Sequence, residues 1–450
     1  SQAVNRKTKG AARVPTWTFK GHRTGEPDVR RKWKSFFIVM IIKSIEPHLL
    51  SCPLPDPVVY TFKGGRRTIY KRDAMVVRIV TDEGMTGYAP GPASIDVANK
   101  IEKEIVPALL GQKLTDPSHF VDDMVDKYGD SVWSAAGAVE VALFDLWGKA
   151  NQCSVTDFFG GRKQETLACY GSAGMYQSPE KYAEEAAAVC ELGFQAYKFR
   201  PALGPAEDLR TVELMREAVG PDVGLCLDAH AWWRMGDHCY SPAIIELLAE
   251  AIAIHGVTWL EEPLPVEDRD GYARLKAMSY IDIAAGEHEQ DLLGFRTLLG
   301  RDCVDVVQAD VSHHGGLSGI SKIIDLCERR YATFAFHNWG TALETVVDGL
   351  IGSCFSRETA RWLEYPQYAH RDTRVMYPFP LSDELVLDAP VPVNGELPLP
   401  DGYGLGVEVN EKVFSKYPYQ KGPWSKFEID SPPSTQYLSG DHAQTWAGDS

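Results

Sequence analysis

The chain lacks features that would place it in several classes of protein. Its nine cysteines are scattered and none belongs to a Cys-x-x-Cys pair, so we expect reduced, mostly buried thiols and a cytoplasmic location. The longest clean apolar run near the start, Phe36–Ile42, is shorter than the ~20 residues needed to span a membrane. Basic charge is also scarce: the net charge is -16, which argues against nucleic acid as a partner.

The two ends of the chain differ in composition from its centre. Residues 1–39 contain ten lysines or arginines against two acids, and we interpret them as a disordered or non-native extension ahead of Met40. A basic, acid-poor leader is also typical of a transit peptide, so organelle targeting is an open alternative. Residues 412–450 are rich in Pro, Ser, Gly and Asp and are predicted to form a surface extension.

The centre of the chain shows two different patterns. Residues 40–161 combine β-rich segments with helical patterns, which predicts a separate α+β domain. In residues 162–384, short strand-like runs alternate with helical stretches. Polar residues close these runs at positions 198, 228, 261, 287, 310, 337 and 364. Those intervals suit one strand-helix unit of about 30 residues each, so we predict an α/β fold with a closed barrel of eight strands.

Three acidic residues close consecutive predicted strands: Asp228, Glu261 and Glu287. Any one of them alone would be interpreted as a helix cap or surface residue. Parallel barrel strands carry their chemistry at their C-terminal ends, so the joint spacing predicts that the three carboxylates meet. Three oxygen donors suit a divalent cation such as Mg²⁺, and without it they would repel one another. Glu262, which follows Glu261 directly, is the alternative ligand or a supporting residue.

Two cations and a histidine lie near these acids in the predicted barrel. Lys198 and Arg200 end one strand and share a face. They form either a salt-bridged pair facing the helices or a cationic wall for an acidic substrate, with Lys198 as a base if nearby cations lower its pKa. His230, two residues past Asp228, turns inward by the same alternation and is either a core residue or a catalytic group.

The last predicted strands supply a histidine and two more acids. Asp310 and His337 end adjacent strands, which brings the carboxylate within reach of the imidazole. An Asp orients a His and raises its pKa, which gives an acid or base suited to neutral pH; the alternative is a structural polar pair. Glu364 ends the last strand and is either a partner for a developing oxyanion or a cap or salt-bridge residue.

The order Lys-x-Arg, Asp, Glu-Glu-Pro, Gly-Glu, Asp, His resembles the mandelate racemase subgroup of the enolase superfamily over residues 40–410. The stretches that carry the resemblance are 142–150, 285–288, 295–299, 308–311, 315–317 and 390–395. It implies a modified (β/α)7β barrel closed by the α+β cap, with residues 385–411 returning to that cap. The positions that it implies for Mg²⁺ and chemistry are Lys198, Arg200, Asp228, Glu261, Glu287, Asp310, His337 and Glu364.

The last of these stretches are most similar to sugar-acid dehydratases such as L-rhamnonate dehydratase. We therefore expect a Mg²⁺-dependent hydro-lyase that removes the C2 proton of an aldonate or aldarate and eliminates the C3 hydroxyl, giving a 2-keto-3-deoxy acid. His337 would perform one or both proton transfers, with His230 or Lys198 as the second participant. Substrate choice would depend on a cap loop near residues 53–72, with Arg66 or Arg67 as candidate contacts. We also expect a homo-oligomer.

Two departures from the family pattern leave alternatives open. Racemases of the subgroup typically carry Lys where this chain has Arg200, and an always-charged guanidinium is a poor base. That disfavours a racemase or epimerase, which is the main alternative. Rhamnonate dehydratases lack a counterpart of His230, whereas galactonate and mannonate dehydratases have one. The substrate of the rhamnonate dehydratases therefore cannot be assigned to this chain. A metallo-hydrolase is disfavoured because residues 168–172 lack His-x-His. A non-catalytic member of the fold is the last alternative.

Overall fold

The computed structural model describes residues 39–366 and 379–431, and the statements below concern these residues. Residues 1–38 of the predicted basic extension, residues 367–378 of the predicted barrel domain and residues 432–450 of the predicted C-terminal extension lie outside them. Within the described ranges no helix has both the length and the apolar character needed to cross a bilayer.

Fifteen strands are found in the described residues. In chain order they are β1 (Ile42–Phe62), β2 (Gly65–Thr81), β3 (Thr86–Gly91), β4 (Thr166–Met175), β5 (Ala196–Arg200), β6 (Gly224–Asp228), β7 (Val257–Glu261), β8 (Asp282–Ala285), β9 (Val306–Ala309), β10 (Thr333–Phe336), β11 (Ala360–Tyr365), β12 (Val386–Leu387), β13 (Glu396–Pro398), β14 (Glu408–Val409) and β15 (Ser425–Ile429).

Thirteen α-helices accompany them in the same ranges. They are α1 (Ile95–Lys100), α2 (Val106–Leu109), α3 (Phe120–Tyr128), α4 (Trp133–Asn151), α5 (Pro179–Glu191), α6 (Pro205–Val219), α7 (Pro242–Ala253), α8 (Arg269–Ala277), α9 (Leu292–Gly300), α10 (Gly316–Arg330), α11 (Ala342–Ser353), α12 (Pro380–Leu385) and α13 (Lys412–Lys416). Ser178 and Ser241 cap α5 and α7 with their side chains, and each helix begins with a proline.

The cap is built on an antiparallel sheet. Strand β1 pairs with β2 along its length, and the other edge of β2 is shared by β15 and β3. The β1–β2 turn contains Gly64 at φ 84°, a left-handed conformation that favours glycine. A side chain at Gly64 would collide with His238, so the tip of this hairpin packs closely on the loop that follows β6.

The barrel consists of the eight parallel strands β4 to β11, and β11 pairs with β4 to close it. Helices α5 to α11 follow successive strands, as in other barrels of strand-helix units. The predicted α/β fold, a barrel with an N-terminal antiparallel cap, is therefore confirmed. All eight C-terminal strand ends lie at one end of the barrel, where the polar residues of the sequence patterns are found.

Cap helix α4 and barrel helix α10 meet without intervening side chains. Gly137 of α4 lies so close to Gly315 and Gly316 that a Cβ on Gly137 would collide with their backbone. One turn further, the buried Glu140 accepts a hydrogen bond from the backbone N–H of Ser318 at 3.0 Å. Burial raises the pKa of Glu140 to about 8. These contacts fix the cap against the first turn of α10 and the residue before it.

Candidate active site

The side chains that point into the barrel form two layers, an apolar layer and, nearer the C-terminal strand ends, a polar layer. The apolar layer consists of Tyr170, Ala196, Cys226, Trp259, Ala284, Val306 and Ala335, which contact one another. Two residues further along four strands, the buried side chains are Ser172, Lys198, Asp228 and Glu261. Because every second side chain of a strand points to the same face, these polar groups share the interior of the barrel.

The Lys198 ammonium bridges three carboxylates. Its Nζ lies 3.2 Å from Oδ2 of Asp228 and 3.4 Å from Oε1 of Glu364, and it contacts Oε1 of Glu261. Arg200 adds a second cation, with Nε 3.1 Å from Oδ2 of Asp228 and Nη2 3.2 Å from Oε1 of Glu364. The structure therefore brings these five side chains together inside the barrel, and Lys198 and Arg200 do not face the surrounding helices.

Burial and neighbouring charges shift the pKa values of this cluster in different directions. Burial, reinforced by nearby acids, raises the pKa of Glu261 to about 8 although Lys198 opposes it. Burial also opposes ionisation of Glu364, but nearby cations outweigh it and hold the pKa at about 2. For Lys198 burial lowers the pKa, whereas the three carboxylates raise it by more, so the ammonium stays charged. Such opposed shifts within one cluster are typical of functional sites.

His230 lies against the first acid. Its Nδ1 is 2.7 Å from Oδ1 of Asp228, and its Nε2 is 3.5 Å from the hydroxyl of Tyr176. Burial lowers the pKa of His230 to about 4, despite the opposing effect of Asp228. A neutral imidazole held in this way can accept a proton but is not a cation at neutral pH.

Asp310 and His337 form a hydrogen-bonded pair at the same end of the barrel. Nδ1 of His337 lies 2.8 Å from Oδ2 of Asp310, and Nε2 lies 3.3 Å from Oε2 of Glu287. The other oxygen of Asp310 is 2.8 Å from Nδ1 of His313. Burial lowers the pKa of His337, but Glu287 and Asp310 raise it by more, so it stands well above its usual value.

Among the described residues, one group of acids and histidines has its ligand atoms close together, and it contains Glu287 but neither Asp228 nor Glu261. One ligand atom each from Glu262, Glu287 and His288 lies within 4.8 Å of the others. Nδ1 of His288 is 2.7 Å from Oε2 of Glu262 and 3.6 Å from Oε1 of Glu287. Glu262 is buried and has a φ of 43°, a left-handed conformation that is uncommon outside glycine. Glu287 thus lies between His288 on one side and His337 on the other.

The three predicted metal ligands do not form such a group in the structure, but their donor atoms are of the type that a hard divalent cation prefers. Asp228, Glu261 and Glu287 supply only carboxylate oxygens, the ligands that Mg²⁺ prefers. The raised pKa of Glu261 is due first to burial and also to repulsion from the other two acids, which a cation would relieve. The group of Glu262, Glu287 and His288 includes an imidazole, which is more typical of transition-metal sites. Oxygen donors alone therefore fit Mg²⁺ better.

A cavity of about 390 Å³ lies between the cap and this end of the barrel. His337, His313 and Trp339 line it from the barrel, and Arg72 lines it from the cap. The Arg72 guanidinium donates to the carbonyl of Trp339 at 2.5 Å and lies 4.0 Å from the ring centroid of Phe379. The cavity reaches the imidazole of His337 and is large enough for a small-molecule substrate.

The two cap arginines that the sequence suggested as substrate contacts lie in different environments. Arg66 is exposed and its Nε lies 2.7 Å from Oε2 of Glu428. Arg67 is buried, with its guanidinium 4.5 Å from the ring centroid of Trp424 and 4.8 Å from that of Phe427. Neither lines the cavity, whereas Arg72 does.

Sequence reasoning assigned no role to His288, His313 or Tyr176. His288 ends the quoted stretch Ala285-Gly-Glu-His288, and His313 follows Asp310 by three residues, so a search for titratable neighbours of the acids would have found both. Tyr176 gave no signal, because its approach to His230 depends on the turn after β4.

The comparisons with known protein families agree with this geometry. Residues 54–160 match the N-terminal domain of the mandelate racemase / muconate lactonizing enzyme family, and residues 181–413 match the enolase C-terminal domain-like family. The chain therefore belongs to the enolase superfamily and resembles its mandelate racemase members, as the sequence motifs predicted.

Individual relatives are also similar over most of the chain. D-galactarolactone cycloisomerase of Agrobacterium fabrum is 28% identical over 390 residues, 84% of this chain and 99% of that protein. L-rhamnonate dehydratase of Saccharopolyspora erythraea is 31% identical over 359 residues, 77% and 85% of the two chains. The crystal structure of 3,6-anhydro-D-galactonate cycloisomerase from Zobellia galactanivorans is 28% identical and covers 84% of this chain and 100% of its own, with a TM-score of 0.70. The chain is thus an enzyme of this superfamily.

Proposed function

We propose that this chain is a Mg²⁺-dependent dehydratase of a sugar acid. The observation that carries the proposal is the Asp310–His337 pair, whose Nε2 lies 3.3 Å from Oε2 of Glu287. A histidine oriented by a carboxylate can take a proton from carbon, and the neighbouring charges can stabilise the anion that results. The sugar-acid names of the relatives support the substrate class.

Asp228, Glu261 and Glu287 would hold the Mg²⁺. When bound, the cation supplies Lewis-acid stabilisation of the negative charge that develops at the substrate carboxylate. Lys198 and Arg200 add fixed positive charge at the same place, since both are buried and contact the acid cluster. Glu262 and His288 would support the site from beside Glu287.

The proton transfers are assigned to His337. Its Nδ1 is committed to Asp310, so Nε2 is the atom that exchanges protons with the substrate. Burial lowers the pKa of His337, but Glu287 and Asp310 raise it by more, and a cation on Glu287 would remove part of that effect, so the neutral imidazole is the form proposed to react. The C2–H bond breaks and the proton moves to Nε2; the C3–O bond then breaks and the same proton leaves with the hydroxyl as water. The enol that remains tautomerises to a 2-keto-3-deoxy acid. His230, neutral and beside Asp228, is the second group able to accept a proton.

Product analysis tests this function. The protein would be incubated with Mg²⁺ and a panel of aldonates, aldarates and their lactones, the lactones because two relatives are cycloisomerases. Semicarbazide detection of a keto acid, with NMR in D₂O, is the measurement. We expect keto acid from at least one sugar acid. Deuterium exchange at C2 without loss of water would instead indicate a racemase or epimerase, and no reaction across the panel would overturn the proposal.

Two variants test which acid of the Glu-Glu-Pro motif binds the metal. We expect Glu261→Gln to weaken Mg²⁺ binding by more than about a hundredfold, because it removes a ligand oxygen, and Glu262→Gln to weaken it by only about tenfold, because it acts through neighbouring residues. Isothermal titration with Mg²⁺ measures both. The opposite order would assign the metal to Glu262, together with Glu287 and His288.

A further inference from the structure

The described chain continues past the end of the family match at residue 413 and adds a strand to the cap. Strand β15 pairs antiparallel with the first half of β2, with Ser425 opposite Ile69 and Ile429 opposite Gly65. It therefore extends the sheet at the end that contains the β1–β2 hairpin.

Hydrogen bonds and ring contacts hold this strand in one register. The carbonyl of Trp424 accepts the N–H of Tyr70 at 2.9 Å, and the N–H of Asp430 donates to the carbonyl of Gly64 at 2.8 Å. The Arg67 guanidinium, which lies beside the rings of both Trp424 and Phe427, adds cation–π contacts. The position of the Trp424 side chain is thus fixed from the cap.

Trp424 is a half-buried side chain that lines the same cavity as His337. Much of the remaining wall is apolar, formed by Met75, Pro90, Pro92, Ala93, Val97 and Trp339. The charged or titratable lining groups are Arg72, Asp73, His313, His337 and Glu344. The Arg72 guanidinium donates to the carbonyl of Trp339, and Asp73 lies 2.9 Å from the Lys71 ammonium.

We propose that Trp424 contacts the end of the substrate chain remote from the reacting carboxylate and selects sugar monoacids with an apolar end over diacids. This rests on the proposed function, which places the reacting carbons at His337. A second carboxylate against Trp424 and Met75 would lose its hydration, in a lining whose arginine, Arg72, already donates to the carbonyl of Trp339. A methyl or methylene end instead gains favourable burial against the ring. The strand past the family match is thereby a determinant of specificity.

The test compares three sugar acids of one configuration: an aldonate, its 6-deoxy analogue and the corresponding aldarate. We expect the wild-type enzyme to prefer the 6-deoxy acid, and Trp424→Ala to reduce kcat/KM for that acid about tenfold, mainly through KM, while the aldarate changes less than about twofold. Trp424→Phe, which keeps an aromatic face beside Arg67, should retain most of the preference. Lys426→Ala, an exposed position on β15 two residues past Trp424, is the matched control and should leave the preference unchanged.

The outcomes separate this inference from the function on which it rests. Wild-type turnover with the same preference in Trp424→Ala and Trp424→Phe would overturn the role of Trp424 and leave the dehydratase intact. A wild-type preference for the aldarate would overturn the proposed selectivity in the same way. If the wild-type enzyme converts none of these three acids and none of the wider panel of sugar acids, both the dehydratase proposal and this inference are overturned.

Discussion

Replacement of His337 with Asn is expected to lower turnover of the sugar acid by about 10²–10⁴, the usual contribution of a general acid or base. Asn keeps a hydrogen-bonding side chain next to Asp310 but carries no exchangeable ring nitrogen. The measurements are keto-acid formation and exchange of the C2 hydrogen in D₂O, and both should be lost because both need the first proton transfer.

Two controls make that result specific. Mg²⁺ binding and the circular dichroism spectrum of His337→Asn should match the wild type, since no ligand carboxylate is changed. His255→Asn, a histidine on the barrel exterior after α7, should retain normal turnover. Near-normal turnover in His337→Asn would remove this residue from the mechanism and leave His230 as the candidate base.

Replacement of Lys198 with Met is expected to destabilise the metal-free protein by about 3–5 kcal/mol. The reason is that Asp228 and Glu364, whose pKa values are lowered, would lose one of their two buried counter-ions and keep only Arg200. Urea unfolding in EDTA measures the loss. Because Mg²⁺ would neutralise the same acids, we expect saturating Mg²⁺ to restore part of the stability, by more than it stabilises the wild-type protein.

Lys276→Met is the matched control for this change. Lys276 pairs with Asp302 at 2.7 Å on the barrel exterior, where removal of an ion pair costs at most about 1 kcal/mol. An unchanged unfolding free energy in Lys198→Met without metal would mean that the buried acids are protonated rather than charged in that state. It would also remove the argument that a cation is needed among them.

The sequence predicted the barrel and the direction of its polar side chains because both follow from local periodicity. Asp228 and Glu261 end strands in the structure, Lys198 lies two residues from the end of its own, and alternation turns all three inward. Glu287, Asp310 and His337 lie one or two residues past strand ends, where backbone periodicity still applies approximately.

The rest depended on contacts that periodicity does not describe. The pairing of Glu262 with His288 requires a left-handed residue in a loop, and the sequence gives no sign of that conformation. Strand β15 lies in a segment whose composition indicated a surface extension, and its partner strand is more than 350 residues away in the chain. Such long-range pairing is decided by tertiary packing rather than by local propensity.

The glycine contact between α4 and α10 has a consequence for how a substrate enters. Helices that touch through bare backbone cannot slide past one another without atomic overlap, because interiors are close-packed. The cap is therefore anchored at this contact. A rigid-body movement of the whole cap away from the barrel would first have to break it. We expect admission and release of small molecules to proceed without separating α4 from α10.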